Sequence, residues 1–115
     1  MINVEQPFMF AYSYLRMKYG ISKKKIKSKQ NNTFSYMERG TPSSKEPTLV
    51  IIHGFTSSKE SFFGVFNNLP RKYHVIALDL PGHGETPLKD GNVGIKLFVD
   101  ALNEVLFFVL FLFCF

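Results

Sequence analysis

Two short histidine–glycine motifs hold the groups of this sequence that are best suited to chemistry. The residues concerned are His53, Gly54, Phe55, Asp79, Pro81, Gly82, His83 and Gly84. A histidine in a cleft can act as a general base, whereas glycine lets main-chain N–H groups approach a ligand because it has no Cβ. The motifs therefore offer histidines as candidate general bases and a main chain that a substrate can approach closely.

Each motif follows a short apolar run that predicts a buried strand. Residues 49–52 (Leu-Val-Ile-Ile) do not alternate with polar residues, which is typical of a strand covered on both faces. Residues 73–79 form a second such run. Strand, helix and strand make a βαβ unit, and ligands of open α/β sheets lie beyond the carboxyl ends of the strands. Both motifs are predicted to lie at that edge.

The helix between the two strands has its own signals. Ser57 and Glu60 have the spacing of a capping box. Pro70 is expected to end the helix. One apolar stripe is predicted to face the sheet, formed by Phe62, Val65, Phe66 and Leu69.

These residues resemble the N-terminal part of an α/β-hydrolase, and most closely the monoacylglycerol lipases of the α/β-hydrolase-domain family. The motifs at 53–55 and 79–86 carry the likeness, residues 34–40 are similar to the strand that precedes this unit, and the likeness covers roughly residues 11–104. The implied fold is α/β, the N-terminal portion of an α/β-hydrolase. It comprises a strand, the βαβ unit and a following helix, and is truncated before the nucleophile strand.

The resemblance implies a carboxylic-ester hydrolase that cleaves acylglycerols with a Ser-Asp-His triad and an oxyanion hole, without cofactor or metal. The backbone N–H of Phe55 would be one oxyanion donor. His53 would support its loop through hydrogen bonds, and Asp79 would brace the turn that holds His83. Epoxide-cleaving relatives usually carry proline where this chain has Thr56, which favours ester hydrolysis. The expected partner of the full-length family is a lipid or ester substrate.

The triad itself is missing from the 115 residues. No serine has glycine at both flanking positions of a Gly-x-Ser-x-Gly elbow, and no histidine follows His83. An arrangement of Asp79, His83 and Ser57 matches no chain order of this fold. The chain is therefore expected to be a catalytically silent fragment. The alternative is a non-catalytic fragment that binds a membrane or another partner.

Composition divides the chain into three segments: a basic, aromatic-rich segment over 1–30, a partial hydrolase domain over 31–104, and an apolar tail over 105–115 that is not typical of the family. The net charge is +5. Residues 7–29 combine aromatic residues with lysines, which predicts either contact with a membrane surface or a solvated basic linker. No nucleic-acid-binding motif accompanies the charge. Localisation stays open, with an intracellular, membrane-associated site as one possibility.

Smaller predictions concern single segments. Residues 21–33 are expected to be a flexible link, Thr33–Glu38 a strand, and residues 85–93 a surface loop. His74 is expected at the surface, and Cys114 is a lone apolar residue outside any disulfide framework.

An amphipathic helix is expected from Gly94 to Glu104, with its apolar face formed by Ile95, Phe98, Val99, Leu102 and Leu106. The tail after it is either translated noncoding sequence or a buried or membrane-inserting helix end. Missing strands would leave a sheet edge open, which predicts marginal stability.

Overall fold

The computed structural model describes residues 13–27, 32–54, 56–88 and 94–111, and within them one mixed four-stranded sheet. The strands are β1 (Ile21–Lys27), β2 (Thr33–Arg39), β3 (Leu49–Ile52) and β4 (Val75–Leu78). A 3-10 helix (Lys59–Phe62) leads into α1 (Phe63–Asn68), and α2 covers Ile95–Phe111. Residues 13–18 are also helical. The predicted strand, βαβ unit and following helix are confirmed.

The order of the sheet is β1-β2-β4-β3, so the last strand in sequence lies between two earlier ones. β3 and β4 are parallel, with Leu49 opposite Val75 and Ile52 opposite Leu78. The other two pairs are antiparallel. All four residues of β4 are buried, as its uninterrupted apolar run predicts. β3 forms the outer edge of the described sheet, and Ile52 is 47% exposed there.

The prediction of a flexible link over 21–33 is wrong for residues 21–27. These form β1, which pairs along its whole length with β2, so the sheet begins before residue 31. Only Ile21 and Ile26 of this strand are buried. The lysines between them keep their ammonium groups near carboxylates while their stems lie along the sheet. The sequence pattern missed the strand because the carboxylates that pair with Lys23, those of Glu60 and Glu85, lie far along the chain.

Each face of the sheet carries its own apolar core. The first core lies under α2 and comprises Ile26, Phe34, Tyr36, Ile76, Leu78, Leu80, Ala101, Val105 and Val109. The second core lies under α1 and comprises Ile21, Met37, Phe66, Val75 and Ala77. Burial on both faces removes the most apolar surface from water at β2 and β4, which are the two inner strands.

The segment before α1 begins differently from the prediction. Ser58 is the N-cap of the 3-10 helix and makes no side-chain capping bond, so the predicted capping box of Ser57 and Glu60 is wrong. The carboxylate of Glu60 lies instead 2.9 Å from the Lys59 ammonium group. In the predicted stripe, Phe66 is fully buried but Val65 is 45% exposed.

The end of α1 is fixed from the sheet. The helix ends at Asn68, before Pro70, in agreement with the prediction. The guanidinium group of Arg39 donates hydrogen bonds to the carbonyl groups of Phe66, Leu69 and Pro70. The last carbonyl groups of a helix have no partner within the helix. A cation at this C-terminal end also interacts favourably with the negative end of the helix dipole. A buried charge in β2 thereby terminates α1.

The second helix continues beyond its predicted end. α2 runs without a break through Glu104 to Phe111, and Val105 and Val109 of the apolar tail are buried in the first core. The buried face is rotated from the predicted one, because Ala101 is buried while Val99 is 48% exposed. None of the described helices is long and apolar enough to cross a membrane. Cys114 lies outside the described residues.

A polar cluster with two buried members, Glu38 and His74, occupies the amino edge of the sheet, where β3 and β4 begin. We call it the amino-edge cluster, and it comprises Lys24, Glu38, Thr48 and His74. The two oxygens of Glu38 contact Lys24 Nζ at 2.5 Å and His74 Nε2 at 2.7 Å. His74 Nδ1 lies 2.9 Å from the Thr48 hydroxyl. The prediction of a surface-placed His74 is wrong, because hydrogen bonds satisfy both of its ring nitrogens inside the protein.

Candidate functional site

The two histidine–glycine motifs lie side by side at the carboxyl edge of the sheet, where the parallel strands β3 and β4 end. Residues 53–54 follow β3 directly, and residues 79–86 follow β4. Ligands of open α/β sheets bind beyond this edge. Phe55, the predicted oxyanion donor, lies outside the described residues. The geometry of the candidate site is therefore described from the residues on either side of Phe55 and from the second motif.

His53 joins the two motifs. Its ring is buried, its Nδ1 lies 2.8 Å from the carbonyl oxygen of Gly54, and its Nε2 accepts the backbone N–H of Leu80 at 3.0 Å. Because Leu80 is the donor, Nε2 carries the lone pair and Nδ1 carries the hydrogen that Gly54 accepts. Both nitrogens are therefore engaged in fixing one loop to the other, which leaves no free lone pair for a general base.

The backbone next to position 55 is strained. Thr56 has a φ of 62°, a left-handed conformation that a β-branched residue rarely adopts. Ser57 donates its N–H to the Gly54 carbonyl at 3.2 Å, which closes a turn around this point. Proline, with φ fixed near −65°, cannot adopt this geometry at position 56. A Cβ on Gly54 would meet nothing within 4 Å, so the space beside the motif is open.

The second motif is a tight turn built on two glycines. Gly82 and Gly84 have φ values of 80° and 52°. His83 between them is half-buried, and its ring centroid lies 4.9 Å from that of His53. Its Nδ1 donates to the carbonyl of Pro81 at 3.1 Å. The two histidine rings pack together where the loops meet.

Asp79 is the anchor of this turn. Its fully buried carboxylate accepts the backbone N–H of Glu85 at 2.9 Å and that of Lys59 at 2.8 Å. It also contacts the Lys59 ammonium group at 2.5 Å. A Cβ on Gly84 would overlap this carboxylate, so only glycine fits there. Asp79 therefore fixes the turn after β4 and the start of the 3-10 helix together.

The charges around Asp79 form what we call the carboxyl-edge cluster, comprising Lys23, Lys59, Glu60, Asp79 and Glu85. Lys59 is fully buried, and its Nζ lies 2.9 Å from Glu60 and 3.5 Å from Glu85. Lys23 contacts both Glu85 and Glu60. The cluster matches buried positive charge with buried negative charge, as burial requires.

Folding shifts two pKa values in this cluster. Burial acts to lower the pKa of Lys59, but hydrogen bonds to Asp79 and Glu60 outweigh it and hold that pKa above its usual range. Burial acts to raise the pKa of Glu85, but the hydrogen bond from Lys23 and the charge of Lys59 together hold that pKa below its usual range. Both groups are thus charged at neutral pH.

Sequence reasoning missed Lys59 as a site residue. A lysine at the start of a helix gives no local sign that it is buried, because the carboxylate that it meets is 20 positions away. The described residues include no group of three or more His, Cys, Asp or Glu side chains that could hold a metal ion.

Comparison with known proteins identifies the family. The sequence profile of the α/β hydrolase fold matches residues 47–105. The monoacylglycerol lipase abhd6-B of Xenopus laevis is 36% identical over 75 residues, which cover 65% of this chain and 22% of the lipase. The (E)-2-((N-methylformamido)methylene)succinate hydrolase of Acinetobacter baylyi is 35% identical over 81 residues, or 70% of this chain and 29% of that enzyme.

A solved structure agrees with these matches. The candidate lipase lip1 of Acinetobacter baumannii AYE superposes with a TM-score of 0.73 at 34% identity, covering 92% of this chain and 34% of lip1. This chain thus spans less than a third of the two curated relatives described above. The profile match covers more than half of the chain and includes both loops of the site. The chain belongs to the α/β-hydrolase fold family.

Proposed function

We propose that this chain is the oxyanion-side portion of a carboxylic-ester hydrolase that acts on acylglycerol lipids. One observation carries the proposal: His53 fixes the loop after β3 to the loop after β4, beside a strained Thr56. Strained backbone at such a loop is a common sign of a functional constraint. The likeness to the abhd6-B lipase and to lip1 supports a lipid ester as the substrate.

In this proposal the Phe55 N–H stabilises the negative charge that develops on the carbonyl oxygen of the ester. One such donor typically contributes about 2.7–4 kcal/mol to transition-state stabilisation. The His53 hydrogen bonds hold the loop in place, so the donor is oriented before the substrate arrives. Gly54 leaves space for the substrate. Asp79, Pro81, Gly82, His83 and Gly84 form the supporting turn.

The nucleophile, acid and base of the reaction are not among these 115 residues. The sequence has no Gly-x-Ser-x-Gly elbow and no histidine after His83. Asp79 uses its carboxylate on Lys59 and on main-chain donors, and His53 uses both ring nitrogens. We therefore propose that the 115-residue chain alone does not hydrolyse esters.

A second candidate follows from the succinate hydrolase match, whose substrate is a small polar amide. We rank it below lipid-ester hydrolysis because the lipases include both a sequence relative and a structural neighbour at comparable identity.

The first test is hydrolysis of a short p-nitrophenyl ester and of a monoacylglycerol by the purified 115-residue chain and by its Phe55→Pro variant. We expect no activity above buffer from either. Activity that falls in Phe55→Pro would contradict the proposed silence and would indicate a nucleophile among the residues present.

The second test asks whether Phe55 supplies the oxyanion donor. Residues 47–105 replace the corresponding segment of the Xenopus laevis abhd6-B lipase, and Phe55→Pro is compared with Phe55→Leu, which keeps the N–H. We expect the Phe55→Pro chimera to lose about 100- to 1,000-fold in kcat, with Phe55→Leu close to the parent chimera. Equal loss in both variants would show that the ring, and not the N–H, matters.

A further inference from the structure

A cleft of about 490 Å³ lies between the edge strand β1 and the C-terminal half of α2. Small-molecule sites in proteins typically have volumes of about 300–1,000 Å³. The motif residues of the proposed ester site do not line this cleft. Its lining residues are Lys24, Lys25, Ile26, Lys27, Tyr36, Glu38, Phe108 and Val109.

The register of the sheet determines which side chains of β1 enter the cleft. Successive side chains of a strand point to opposite faces of the sheet. Lys24 lies opposite Tyr36, and Ile26 lies opposite Phe34. Ile26, Phe34 and Tyr36 all belong to the first core, under α2. The side chain of Lys24 is therefore on the α2 face as well, where it borders the cleft.

Lys25 and Lys27 have the opposite orientation. Their side chains lie on the α1 face of the sheet, and Lys25 Nζ is 3.9 Å from a carboxylate oxygen of Glu85 in the carboxyl-edge cluster. These two residues therefore border the cleft with their main chain. Of the lysines in β1, Lys24 is the one whose side chain lies on the cleft side of the sheet.

The polar end of the cleft presents hydrogen-bond donors. Lys24 Nζ contacts one oxygen of Glu38 at 2.5 Å, and His74 Nε2 contacts the other at 2.7 Å. An ammonium group has three hydrogens, so the contact with Glu38 leaves two of them for other acceptors. The Lys24 side chain is 49% exposed, whereas that of Glu38 is 8% exposed. A ligand can therefore reach the donor, and the charges of this pair cancel.

The rest of the cleft is apolar. Ile26 and Val109 are buried members of the first core and form the floor. Phe108 is 42% exposed and forms a wall that a ligand can contact. Contact with these side chains would remove the apolar surface of a ligand from water. The cleft thus fits a molecule that has an apolar chain and a head group that accepts hydrogen bonds.

We propose that this cleft binds an uncharged molecule with an apolar chain and a carbonyl head, whose oxygen accepts a hydrogen bond from Lys24. A carboxylate in the same place would add an unbalanced negative charge beside Glu38, and the removal of an unpaired charge from water is costly. An ammonium head would be repelled by Lys24 and has no acceptor to offer. The binding does not depend on the proposed ester hydrolysis, because the motif residues take no part in it.

The head-group preference is tested with three probes of equal chain length: octanamide, octanoate and octylammonium. Each is titrated into the 115-residue chain at neutral pH, and the methyl NMR signals of Ile26 and Val109 report binding in the cleft. Ile52 and Ile95 are exposed elsewhere, so their methyl signals are the control for non-specific contact. We expect the lowest Kd for octanamide and a Kd about fivefold higher or more for both ions, as for two like charges about 4 Å apart in water.

The hydrogen bond is tested with Lys24→Met, which keeps the apolar stem and removes the donors. Octanamide should bind about tenfold more weakly, as expected for the loss of one hydrogen bond to a charged group. Lys24→Arg keeps donors at this position and should bind within about threefold of the parent chain. The matched control Lys25→Met removes the same charge on the other face of the sheet and should leave the Kd for octanamide almost unchanged.

The apolar wall is tested with two adjacent phenylalanines. Phe108→Ala should weaken octanamide binding about fivefold, because it removes a ring that lines the cleft. Phe107→Ala is the matched control, since Phe107 is 63% exposed and helical periodicity places it on the side of α2 opposite Val109. Circular dichroism of all variants checks that they remain folded.

Three results would overturn the proposal. The first is a Kd for octanoate or octylammonium that is equal to or below that for octanamide. The second is a set of octanamide-induced shifts as large at Ile52 and Ile95 as at Ile26 and Val109, or no shift at all. The third is an equal loss of octanamide binding in Lys24→Met and Lys25→Met. If Lys24→Met unfolds, the three probes and the pair of phenylalanine variants decide in its place.

Discussion

The two polar clusters lie at opposite edges of one sheet and differ in the groups that their buried carboxylates bind. In the carboxyl-edge cluster, Asp79 accepts main-chain N–H groups of Lys59 and Glu85, so it fixes the backbone of two loops. In the amino-edge cluster, the partners of the Glu38 carboxylate among the described residues are the side chains of Lys24 and His74. The first cluster therefore shapes the proposed site, whereas the second links strands to each other.

Removal of Asp79 should have the largest effect, because it leaves the fully buried Lys59 with a diminished set of partners. Asp79→Ala is expected to lower the free energy of unfolding by about 3–5 kcal/mol. Urea denaturation followed by circular dichroism measures it, and a variant that is unfolded without urea would agree. The control Asp100→Asn breaks an exposed pair and should change stability by less than about 0.5 kcal/mol. Equal midpoints for the two variants would contradict the prediction.

Gly84→Ala tests the same cluster through the backbone. Its φ of 52° is unfavourable for alanine, and the new Cβ would overlap the Asp79 carboxylate. We expect a loss of about 3 kcal/mol, at the upper end of the cost of one strained residue. Gly64→Ala is the control, because it lies in α1 with open space around it and should stabilise the chain by roughly 0.5–1 kcal/mol. A neutral Gly84→Ala would mean that the turn is less fixed than described.

Glu38→Gln probes the amino-edge cluster without a change in side-chain size. The uncharged amide weakens two charge-assisted contacts, and we expect a loss of about 1.5 kcal/mol in the free energy of unfolding. Glu46 forms an ion pair with Lys72 at the surface, so the control variant Glu46→Gln should leave the free energy of unfolding almost unchanged. A loss as large as that of Asp79→Ala would remove the proposed distinction between the two clusters.

The smallest expected effect is the pH dependence due to Glu85. Because folding lowers the pKa of Glu85, its contribution to stability is fully present above the pKa of the unfolded chain and is lost as the pH falls through the lower folded-state pKa. Thermal unfolding of the parent chain and Glu85→Gln should therefore converge in acid and differ at neutral pH. A constant difference across that range would count against the ion pairs with Lys23 and Lys59.

Local patterns were sufficient for the inner part of the fold. The unbroken apolar run before residue 53 and the run that ends at Asp79 predict parallel strands, and the structure places both motifs at their shared edge. The apolar run correctly predicts burial at β4, whose four residues are all buried. The prediction of a strand covered on both faces is wrong for residues 49–52, because β3 is an edge strand of the described sheet and Ile52 is 47% exposed. The glycines of the second motif likewise indicate a tight turn from their residue type alone.

The remaining features depend on contacts between distant residues. β1 is rich in lysine and becomes a strand because β2 and distant carboxylates pair with it. His74 is buried because Glu38, 36 positions earlier, accepts its hydrogen bond. The apolar tail continues α2 because the first core still has room for Val105 and Val109. Apart from β2, which is the next strand along the chain, these partners lie outside any local window of sequence.

The strand order also determines when each strand can pair during synthesis on the ribosome. β3 cannot join the sheet when it is made, because its only partner within the described residues is β4, whose last residue, Leu78, follows Ile52 by a whole helix. At typical translation rates, this delay leaves the apolar strand unpaired for roughly one to five seconds. A nascent chain that pauses in this interval would expose an unpaired apolar strand to chaperones or to neighbouring polypeptides. The β1–β2 hairpin can instead form as soon as β2 is made, because its two strands are consecutive in the chain.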